Sequence, residues 1–302
     1  MLQDYVLVLI NGTGAMPLTA ARVHDLGHGL VPDITRARIV WLGASEAAEL
    51  HLCIEEPATA KGIAEAIAME LGESPIDFAL LPAGGRRKKL LVADMESTVI
   101  AEECLDELAA VAGIGREIAA ITDRAMRGEL DFEAALRERV RLLKGLPAAE
   151  LEKLRDRLTL MPGAATLVAT MRKHRAYTAL VSGGFSYFTG PVAARLHFDA
   201  HFANQLGITA GELDGTVTEP ILGRAAKAAR LTTLAGERGL DPAEILAVGD
   251  GANDVAMVEA AGLGVAFRPK PLLAGAADAI IRHANLTALL YLQGYKRDEF
   301  AD

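Results

Sequence analysis

The sequence predicts an α/β protein with a parallel β-sheet core, a helical insertion in that core, and a small α+β unit before it. Two short apolar runs, residues 90–93 and 245–248, each stop at an acidic, turn-forming cluster that is followed by helix-like sequence. Between them, residues 102–157 are dense in Glu, Arg, Leu and Ala at helical spacing. Before them, residues 1–84 alternate short strands with helices. These three observations together predict the fold class.

Composition and charge narrow the class of protein further. The chain has 302 residues, 51% of them hydrophobic, which suits two domains and excludes general disorder. A net charge of -9 argues against a nucleic-acid partner, because phosphate backbones are bound by clustered Lys and Arg. No apolar run reaches the ~18 residues that span a bilayer, and the basic start of a signal peptide is missing. Cys53 and Cys104 show no disulfide or metal-ligand spacing, so we expect a reduced, cytoplasmic setting without a membrane partner.

Residues 1–84 are predicted to form an accessory or regulatory domain. Strands are expected at 5–10, 38–42, 49–54 and 77–81, and helices at 18–30 and 59–71. The order β-α-β-β-α-β is the split ferredoxin-like arrangement. Such a sheet buries one face under two helices and leaves the other face free to pack against a second copy. We therefore expect this domain to mediate homodimerisation or to bind an amino-acid effector.

Residues 85–302 are predicted to form the catalytic domain. Helices inserted at about 101–160 are expected to lie above the strand ends as a cap, the element that closes over a substrate and excludes water. From Pro162 onward, helices are expected at 166–173, 185–196, 222–238 and 253–261, and strands at 177–181, 245–248, 264–267 and 279–282. A hairpin is expected over 211–220, with its turn at Asp214 and Gly215.

The acidic clusters predict where a functional site lies and what chemistry it performs. Asp94 and Asp250 each follow one of the two apolar runs. Parallel sheets bind ligands at the carboxyl ends of their strands, so these carboxylates are expected to converge there. Converging carboxylates invite Mg2+, a hard cation that takes oxygen ligands and commonly partners phosphate. The sequence therefore predicts phosphoryl chemistry.

Four motifs in a fixed order resemble those of the haloacid-dehalogenase-like phosphatases. They are DMEST at Asp94, SGGF at Ser182, a lysine at Lys227 and GDGAND at Gly249. The cap strings EECLDELA, ITDRAMRGELDFEAALRERV and LLKGLP are similar to those of the branch that acts on O-phospho-L-serine. The resemblance spans roughly residue 88 to the C-terminus and implies a Rossmannoid core with a helical-bundle cap. The opening segment resembles the ferredoxin-like (ACT-like) accessory domain of many bacterial members.

The resemblance implies a role for each matching residue. Asp94 would be the nucleophile that forms an aspartyl-phosphate, and Glu96 the general acid/base. The other implied positions are the Mg2+ ligands Asp94, Asp250 and the Glu96 backbone carbonyl, the phosphate donors Ser182, Gly183, Lys227 and Asn253, and the substrate readers Glu103, Arg139, Met126 and Phe132. Asp254 is expected behind this first layer, where it would hold Lys227 or a metal-bound water.

Glu96 departs from the family pattern, which usually has Asp two residues after the nucleophile. Glu performs the same proton transfer, because the ordinary pKa of a Glu side chain is only about 0.4 higher than that of Asp. Its extra methylene lengthens the side chain, and backbone or rotamer adjustment must absorb that length. We expect Glu96 to work as the acid/base, with slower dephosphorylation or transfer to an acceptor other than water as the alternatives.

The implied activity is Mg2+-dependent conversion of O-phospho-L-serine and water to L-serine and phosphate, the last step of serine biosynthesis. Serine is then the natural effector for the first domain. A related phosphotransferase, or a phosphatase for another small phosphomonoester, stays open because the cap sets specificity and the core does not. An amino-acid-binding regulator with a vestigial core is a different class, against which Asp94, Lys227 and Asp250 argue.

Overall fold

The computed structural model describes residues 3–28, 39–54, 57–127 and 129–301. The first part forms a four-stranded antiparallel sheet in the order β2-β3-β1-β4, with two helices. Its elements are β1 (Gln3–Asn11), α1 (Ala20–His28), β2 (Ile39–Gly43), β3 (Ala47–Ile54), α2 (Pro57–Leu71) and β4 (Ile76–Pro82). The predicted order β-α-β-β-α-β is confirmed. Residues 29 and 30 of the first predicted helix, and residue 38 of the second predicted strand, lie outside the described residues.

The second part is built on a six-stranded parallel sheet in the order β12-β11-β10-β5-β6-β7. Its strands are β5 (Leu90–Ala93), β6 (Tyr177–Phe185), β7 (Ala200–Asn204), β10 (Ile245–Gly249), β11 (Leu263–Phe267) and β12 (Ala279–Ile281). A separate two-stranded hairpin contains β8 (Leu206–Thr209) and β9 (Glu212–Val217). All four residues of β5 are buried because both faces of the sheet are covered, which explains their uninterrupted apolar sequence.

Helices flank the parallel sheet and also form the insertion after β5. The flanking helices are α7 (Ala164–Lys173), α8 (Ser186–Leu196), α9 (Arg224–Arg238), α10 (Val255–Glu259), α11 (Pro271–Ala274) and α12 (Ala288–Leu292). The inserted helices are α3 (Cys104–Ala112), α4 (Gly115–Met126), α5 (Phe132–Leu142) and α6 (Ala148–Asp156). Among the described residues, no helix combines the length and the apolar character that a bilayer crossing requires.

The hairpin and β6 differ from their predicted positions. The hairpin turn lies at Ala210 and Gly211, both with positive φ, and the predicted turn at Asp214 and Gly215 is wrong. The Asp214 carboxylate instead accepts hydrogen bonds from the backbone and the hydroxyl of Thr216, and the Asp-Gly pair lies where the β8–β9 register shifts within β9. Strand β6 runs four residues beyond its predicted end, because its last part pairs again with β7 after an irregularity.

The outer face of the N-terminal sheet is covered, not free. Alternate residues of β1 such as Leu7 and Leu9 pack with α1 and α2, whereas Val6, Val8 and Ile10 belong to the main hydrophobic cluster. That cluster also contains apolar residues near the C-terminus, among them Leu286 and Leu289. The expectation that this face remains available for a second copy of the chain is therefore wrong, because the chain's own C-terminal segment occupies it.

Candidate active site

The site begins where β5 and β10 end side by side. The two strands are parallel neighbours, with Ala93 paired to Val248, and the Asp94 N–H donates to the Val248 carbonyl at 2.9 Å. Asp94 and Asp250 therefore leave the sheet at the same edge, as the strand-end argument predicts. Carboxylate oxygens of Asp94, Asp250 and Asp254 all lie within 4.8 Å of one another.

A buried ammonium joins two of these carboxylates. Lys227, on the first turn of α9, places Nζ 2.7 Å from Asp94 Oδ1 and 2.7 Å from Asp254 Oδ1. The Lys227 side chain is 1% exposed, and the other Asp254 oxygen accepts from the Gly251 N–H at 3.2 Å. Asp254 thus holds Lys227 against Asp94, the position that the sequence suggested for it. No side chain at residue 249 could coexist with this arrangement, since a Cβ there would lie 2.4 Å from Asp254 Cγ.

The charge balance of this cluster favours an added cation. Burial and the neighbouring charge of Asp254 raise the pKa of Asp94 well above its usual value, against the opposing effect of Lys227. Burial also raises the pKa of Asp250. Burial alone would lower the pKa of Lys227, but Asp94 and Asp254 raise it, so the ammonium stays charged. Buried carboxylate oxygens with excess negative charge are a donor set that fits a hard divalent cation such as Mg2+.

Lys270 is a second cation that sequence reasoning missed. It lies between Pro269 and Pro271 after β11, and its Nζ is 3.2 Å from Asp250 Oδ2 and 3.7 Å from Glu103 Oε1. Its backbone N–H also donates to the Asp250 carbonyl at 2.9 Å. Lys270 follows β11, the strand beside β10, but the turn after β11 has no acidic cluster of the kind that marks Asp250 in the sequence.

Glu96 lies between the core and the first cap helix. Its Oε1 accepts a hydrogen bond from the Cys104 N–H, the first residue of α3, at 2.8 Å. A Cβ on Gly184 would lie 2.8 Å from Glu96 Oε2, so only glycine leaves space for this longer side chain. Burial, followed by the nearby charge of Glu103, raises the pKa of Glu96 to about 7. A carboxyl group with this pKa can give and take a proton near neutral pH.

The SGGF motif forms an irregular stretch inside β6. The Gly184 N–H donates to Ser182 Oγ at 2.9 Å, which leaves the hydroxyl hydrogen of Ser182 available for another acceptor. The Gly183 carbonyl accepts from Nδ2 of Asn204, at the end of β7, at 2.8 Å. Asn204 was not among the site residues predicted from the sequence, and no motif in the sequence marks it.

Asn253 lies in a short 3-10 turn that follows Asp250. Its Oδ1 covers Gly251, where an added Cβ would be 2.6 Å away. The helix that follows, α10, is shorter than predicted at both ends. Asn253 is thus beside the carboxylate cluster, but at a turn instead of the start of a long helix.

The cap places charged residues opposite the core. Glu103 precedes α3, and its Oε1 accepts from the Ser97 hydroxyl at 2.8 Å. Arg139 on α5 is partly buried, and burial lowers its pKa against the opposing charges of Asp106, Glu96 and Glu103. Its Nε donates to the carbonyl of Ala135, one turn earlier in α5, at 3.3 Å. The Arg139 guanidinium is therefore close enough to Glu96 and Glu103 for their charges to interact with it.

Phe132 places the cap against Gly183, within the SGGF motif, and Gly223, four residues before Lys227. It is the first residue of α5, and Cβ atoms added to Gly183 and Gly223 would lie 3.2 and 3.0 Å from its ring. The ring thus rests on two backbone segments that have no side chains to obstruct it. Met126 ends α4, and its side chain lies outside the described part of the structure.

The family model of haloacid dehalogenase-like hydrolases matches residues 91–259, which contain all four motifs. The chain is 41% identical to "Phosphoserine phosphatase" of Archaeoglobus fulgidus, over 83% of this chain and 70% of that protein. It is 47% identical to "Phosphoserine phosphatase" of Haemophilus influenzae, over 74% of this chain and 70% of that protein. Among solved structures, it resembles a HAD-family hydrolase from Salmonella enterica serovar Typhi with a TM-score of 0.85 and 31% identity, covering 96% of this chain and 98% of that one.

Proposed function

This chain belongs to the haloacid dehalogenase-like hydrolases, and from that membership we propose that it converts O-phospho-L-serine and water to L-serine and phosphate. The observation that carries the proposal is the buried Lys227 held between Asp94 and Asp254. Lys227 pairs with two of the three clustered carboxylates, and the largely exposed Lys270 pairs with the third, Asp250. A structural salt bridge does not need such a cluster, because it leaves negative charge uncompensated. A site that receives a divalent cation and a phosphate does need such a cluster.

Asp94 acts as the nucleophile in the proposed reaction. A carboxylate oxygen of Asp94 attacks phosphorus in line with the serine oxygen, a P–O bond to Asp94 forms, and the P–O bond to serine breaks. The ammonium of Lys227, the Ser182 hydroxyl, the Gly183 N–H and the Asn253 amide supply fixed donors for the phosphoryl oxygens. These donors do not have to reorganise as charge develops, because packing and hydrogen bonds already hold Lys227 and Ser182.

Glu96 moves the protons. In its protonated form it donates to the departing serine oxygen. The resulting carboxylate then takes a proton from water as that water attacks the phosphorus of phospho-Asp94, and the P–O bond to Asp94 breaks to release phosphate. The pKa of about 7 suits both steps near neutral pH. The hydrogen bond from the Cys104 N–H to Oε1 orients the carboxyl group of Glu96 for this exchange.

We propose that Asp94, Asp250 and the Glu96 backbone carbonyl hold Mg2+. When bound, Mg2+ would offset the negative charge of the carboxylates and of the phosphoryl oxygens. Asp254 stays with Lys227, since both of its oxygens already have partners.

The cap is proposed to read the amino-acid part of the substrate. Arg139 would bind the carboxylate as a bidentate fork and Glu103 the ammonium, while Phe132 and Met126 would line the apolar wall. Removing one partner of a buried charge pair costs about 2–5 kcal/mol. Arg139→Ala should therefore reduce activity on phosphoserine far more than on an aryl phosphate. Arg137→Ala is the matched control, because Arg137 is exposed on the same helix and pairs with Glu133 and Glu219.

The decisive experiment measures phosphate release from phosphoserine, phosphothreonine, glycerol phosphate and an aryl phosphate, with Mg2+ and with EDTA. We expect phosphoserine to be preferred and EDTA to stop release. Asp94→Asn should abolish turnover while the protein stays folded, because the change is nearly isosteric. Asp241→Asn, an exposed carboxylate before β10, should keep full activity.

Two results would contradict the proposal. Retention of most activity by Asp94→Asn would exclude the phospho-Asp94 mechanism. Preference for another phosphomonoester, or phosphate transfer to an added alcohol in place of water, would replace phosphoserine hydrolysis with one of the alternative activities.

The division of labour along the chain is also proposed. Residues 1–84 would serve as the accessory domain and residues 85–302 as the phosphatase domain, with the cap at about 101–160. An amino-acid effector such as serine would bind the accessory domain. A thermal shift with added serine tests this in Arg139→Ala, in which the proposed contact of the active site with the serine carboxylate is removed. A homodimer would have to use a surface other than the outer face of the N-terminal sheet, which the C-terminal segment covers.

A further inference from the structure

Asn204 is a buried polar residue whose side chain touches two separate segments of the site. It is 2% exposed at the end of β7. Its Nδ2 donates to the carbonyls of Gly183 at 2.8 Å and Leu222 at 3.2 Å, and its Oδ1 accepts from the Leu222 N–H at 2.6 Å. The reverse amide orientation would set the oxygen against two carbonyls, so these partners also settle the orientation.

The first segment is the irregular stretch of β6 that contains Ser182. The β6–β7 ladder pairs Val181 with Phe202 and then Phe185 with Asn204, so residues 182–184 leave the regular register. Asn204 supplies to Gly183 a hydrogen bond that the ladder does not make there. The same peptide unit carries the Gly184 N–H that donates to Ser182 Oγ. Because a peptide unit is planar, holding its carbonyl also holds its N–H, and with it the Ser182 hydroxyl.

The second segment leads into α9. Asn204 binds both backbone polar groups of Leu222. The next residue, Gly223, is the N-cap of α9, and its carbonyl accepts from the Lys227 N–H at 3.1 Å. The position of Leu222 therefore determines where α9 begins and how far Lys227 reaches toward Asp94.

We propose that Asn204 is a positioning residue. It holds residues 182–184, the irregular stretch of β6, at a fixed distance and orientation from the start of α9. The two segments lie far apart in sequence, and the donors that they carry must meet one phosphate. A displacement of about 1 Å in such a site costs on the order of 100-fold in rate. The inference rests on the proposed function for the substrate, but its central test needs only phosphate binding.

Two variants remove this link in different ways. Asn204→Asp keeps the shape of the side chain but turns a carboxylate oxygen toward the Gly183 and Leu222 carbonyls. Asn204→Ala removes the hydrogen bonds without this repulsion, and it replaces Asn204→Asp in the test if that variant does not fold. Thr178→Val is the matched control. Thr178 is fully buried at the opposite end of β6, and its hydroxyl donates to Asp199, just before β7, at 2.9 Å.

Calorimetry with inorganic phosphate in the presence of Mg2+ is the first measurement, and kcat and KM for phosphoserine are the second. We expect Asn204→Asp to weaken phosphate binding by at least about 10-fold and to lower kcat/KM by about 100-fold. Asn204→Ala should show smaller losses in the same direction. Thr178→Val should lower Tm but change phosphate affinity by less than about 2-fold.

The outcomes separate this inference from the proposed function. If wild type binds phosphate and Asn204→Asp binds it as Thr178→Val does, the positioning role is wrong whatever the substrate. If wild type binds phosphate, hydrolyses no phosphoserine, and loses affinity in Asn204→Asp, only the proposed function fails. If wild type does not bind phosphate at all, both are overturned.

Discussion

Single buried charges determine what the site can do. Lys227 is enclosed by Asp94 and Asp254, and this contact holds a permanent positive charge where the phosphoryl group is proposed to react. Glu96 is enclosed by α3 and Gly184, where burial opposes its charged form. Lys227 is thus kept charged and Glu96 is kept able to exchange a proton, because their nearest partners differ.

Glu96 should make the stability of the metal-free protein depend on pH. Its pKa is about 7 in the folded protein, above its unfolded value of about 4.3, so the folded state binds the extra proton between them. This contribution is fully present below the unfolded pKa and is lost as pH rises through the folded pKa. In EDTA, we expect the free energy of unfolding of wild type, relative to Glu96→Gln, to fall by up to about 3 kcal/mol between about pH 5 and about pH 8.

Chemical denaturation at a series of pH values measures this difference. Gln retains an oxygen that accepts from the Cys104 N–H, so the comparison isolates the titration. Glu237→Gln is the control, because the Glu237 side chain is 58% exposed. A difference between wild type and Glu96→Gln that does not change with pH would show that Glu96 titrates as an ordinary carboxyl group.

Among the secondary-structure elements, α5 of the cap contacts the core through the Phe132 ring and two glycines. Phe132 begins α5 because Asp131 caps the helix by accepting from the Ala134 N–H at 2.7 Å. The Asp131 hydrogen bond sets the direction of α5 at its first turn, and the Phe132 ring then lies against Gly183 and Gly223. The contact joins the helical insertion to both segments that are proposed to bind phosphate, so we expect cap position and phosphate binding to be coupled.

A methyl group at Gly223 should disturb this contact without straining the backbone. Gly223 has φ -103° and ψ -164°, which alanine adopts readily, but its Cβ would lie 3.0 Å from the Phe132 ring. Overpacking of this kind costs about 1–3 kcal/mol. We expect Gly223→Ala to lower kcat/KM for phosphoserine by about 10-fold or more.

A double-mutant cycle with Phe132→Ala checks the cause of that loss. Once the ring is removed, Gly223→Ala should change kcat/KM by less than about 2-fold. Gly236→Ala is the matched control, since Gly236 lies in the same helix and an added Cβ there meets open space. Additive losses in the cycle would mean that Gly223 acts independently of the cap.

Across the molecule as a whole, the N-terminal sheet is docked by buried polar contacts as well as by apolar packing. Asp77 on β4 is 4% exposed, and its carboxylate accepts from the N–H groups of Arg282 and Ala284 at 2.8 Å and from His283 at 3.1 Å. Arg86 donates to Glu49 at 2.6 Å and to two carbonyls in the segment around α12. The N-terminal unit is therefore part of the packing of the catalytic domain.

Asp77→Ala should destabilise the whole protein. The substitution leaves the backbone N–H groups of residues 282–284 without their acceptor. A hydrogen bond to a charged group contributes about 1.5–3 kcal/mol to the free energy of unfolding. We expect the free energy of unfolding to fall by about 3 kcal/mol in denaturant titrations. Asp4→Asn, an exposed change in the same sheet, should alter it by no more than about 0.5 kcal/mol. Equal stability of Asp77→Ala and wild type would mean that the two parts are docked loosely.

The order of the elements from β1 to α8, the helical insertion after β5, and the strand-end positions of Asp94 and Asp250 could be predicted from the amino-acid sequence, whereas β7, α11 and α12 were not predicted. These features depend on local periodicity and on motifs in which neighbouring residues act together. The partners of Glu96, the contacts of Asn204 and Lys270, and the covered face of the N-terminal sheet emerged only from the folded chain. Each of these is a contact between segments distant in the sequence, and the same local pattern would be compatible with many such contacts.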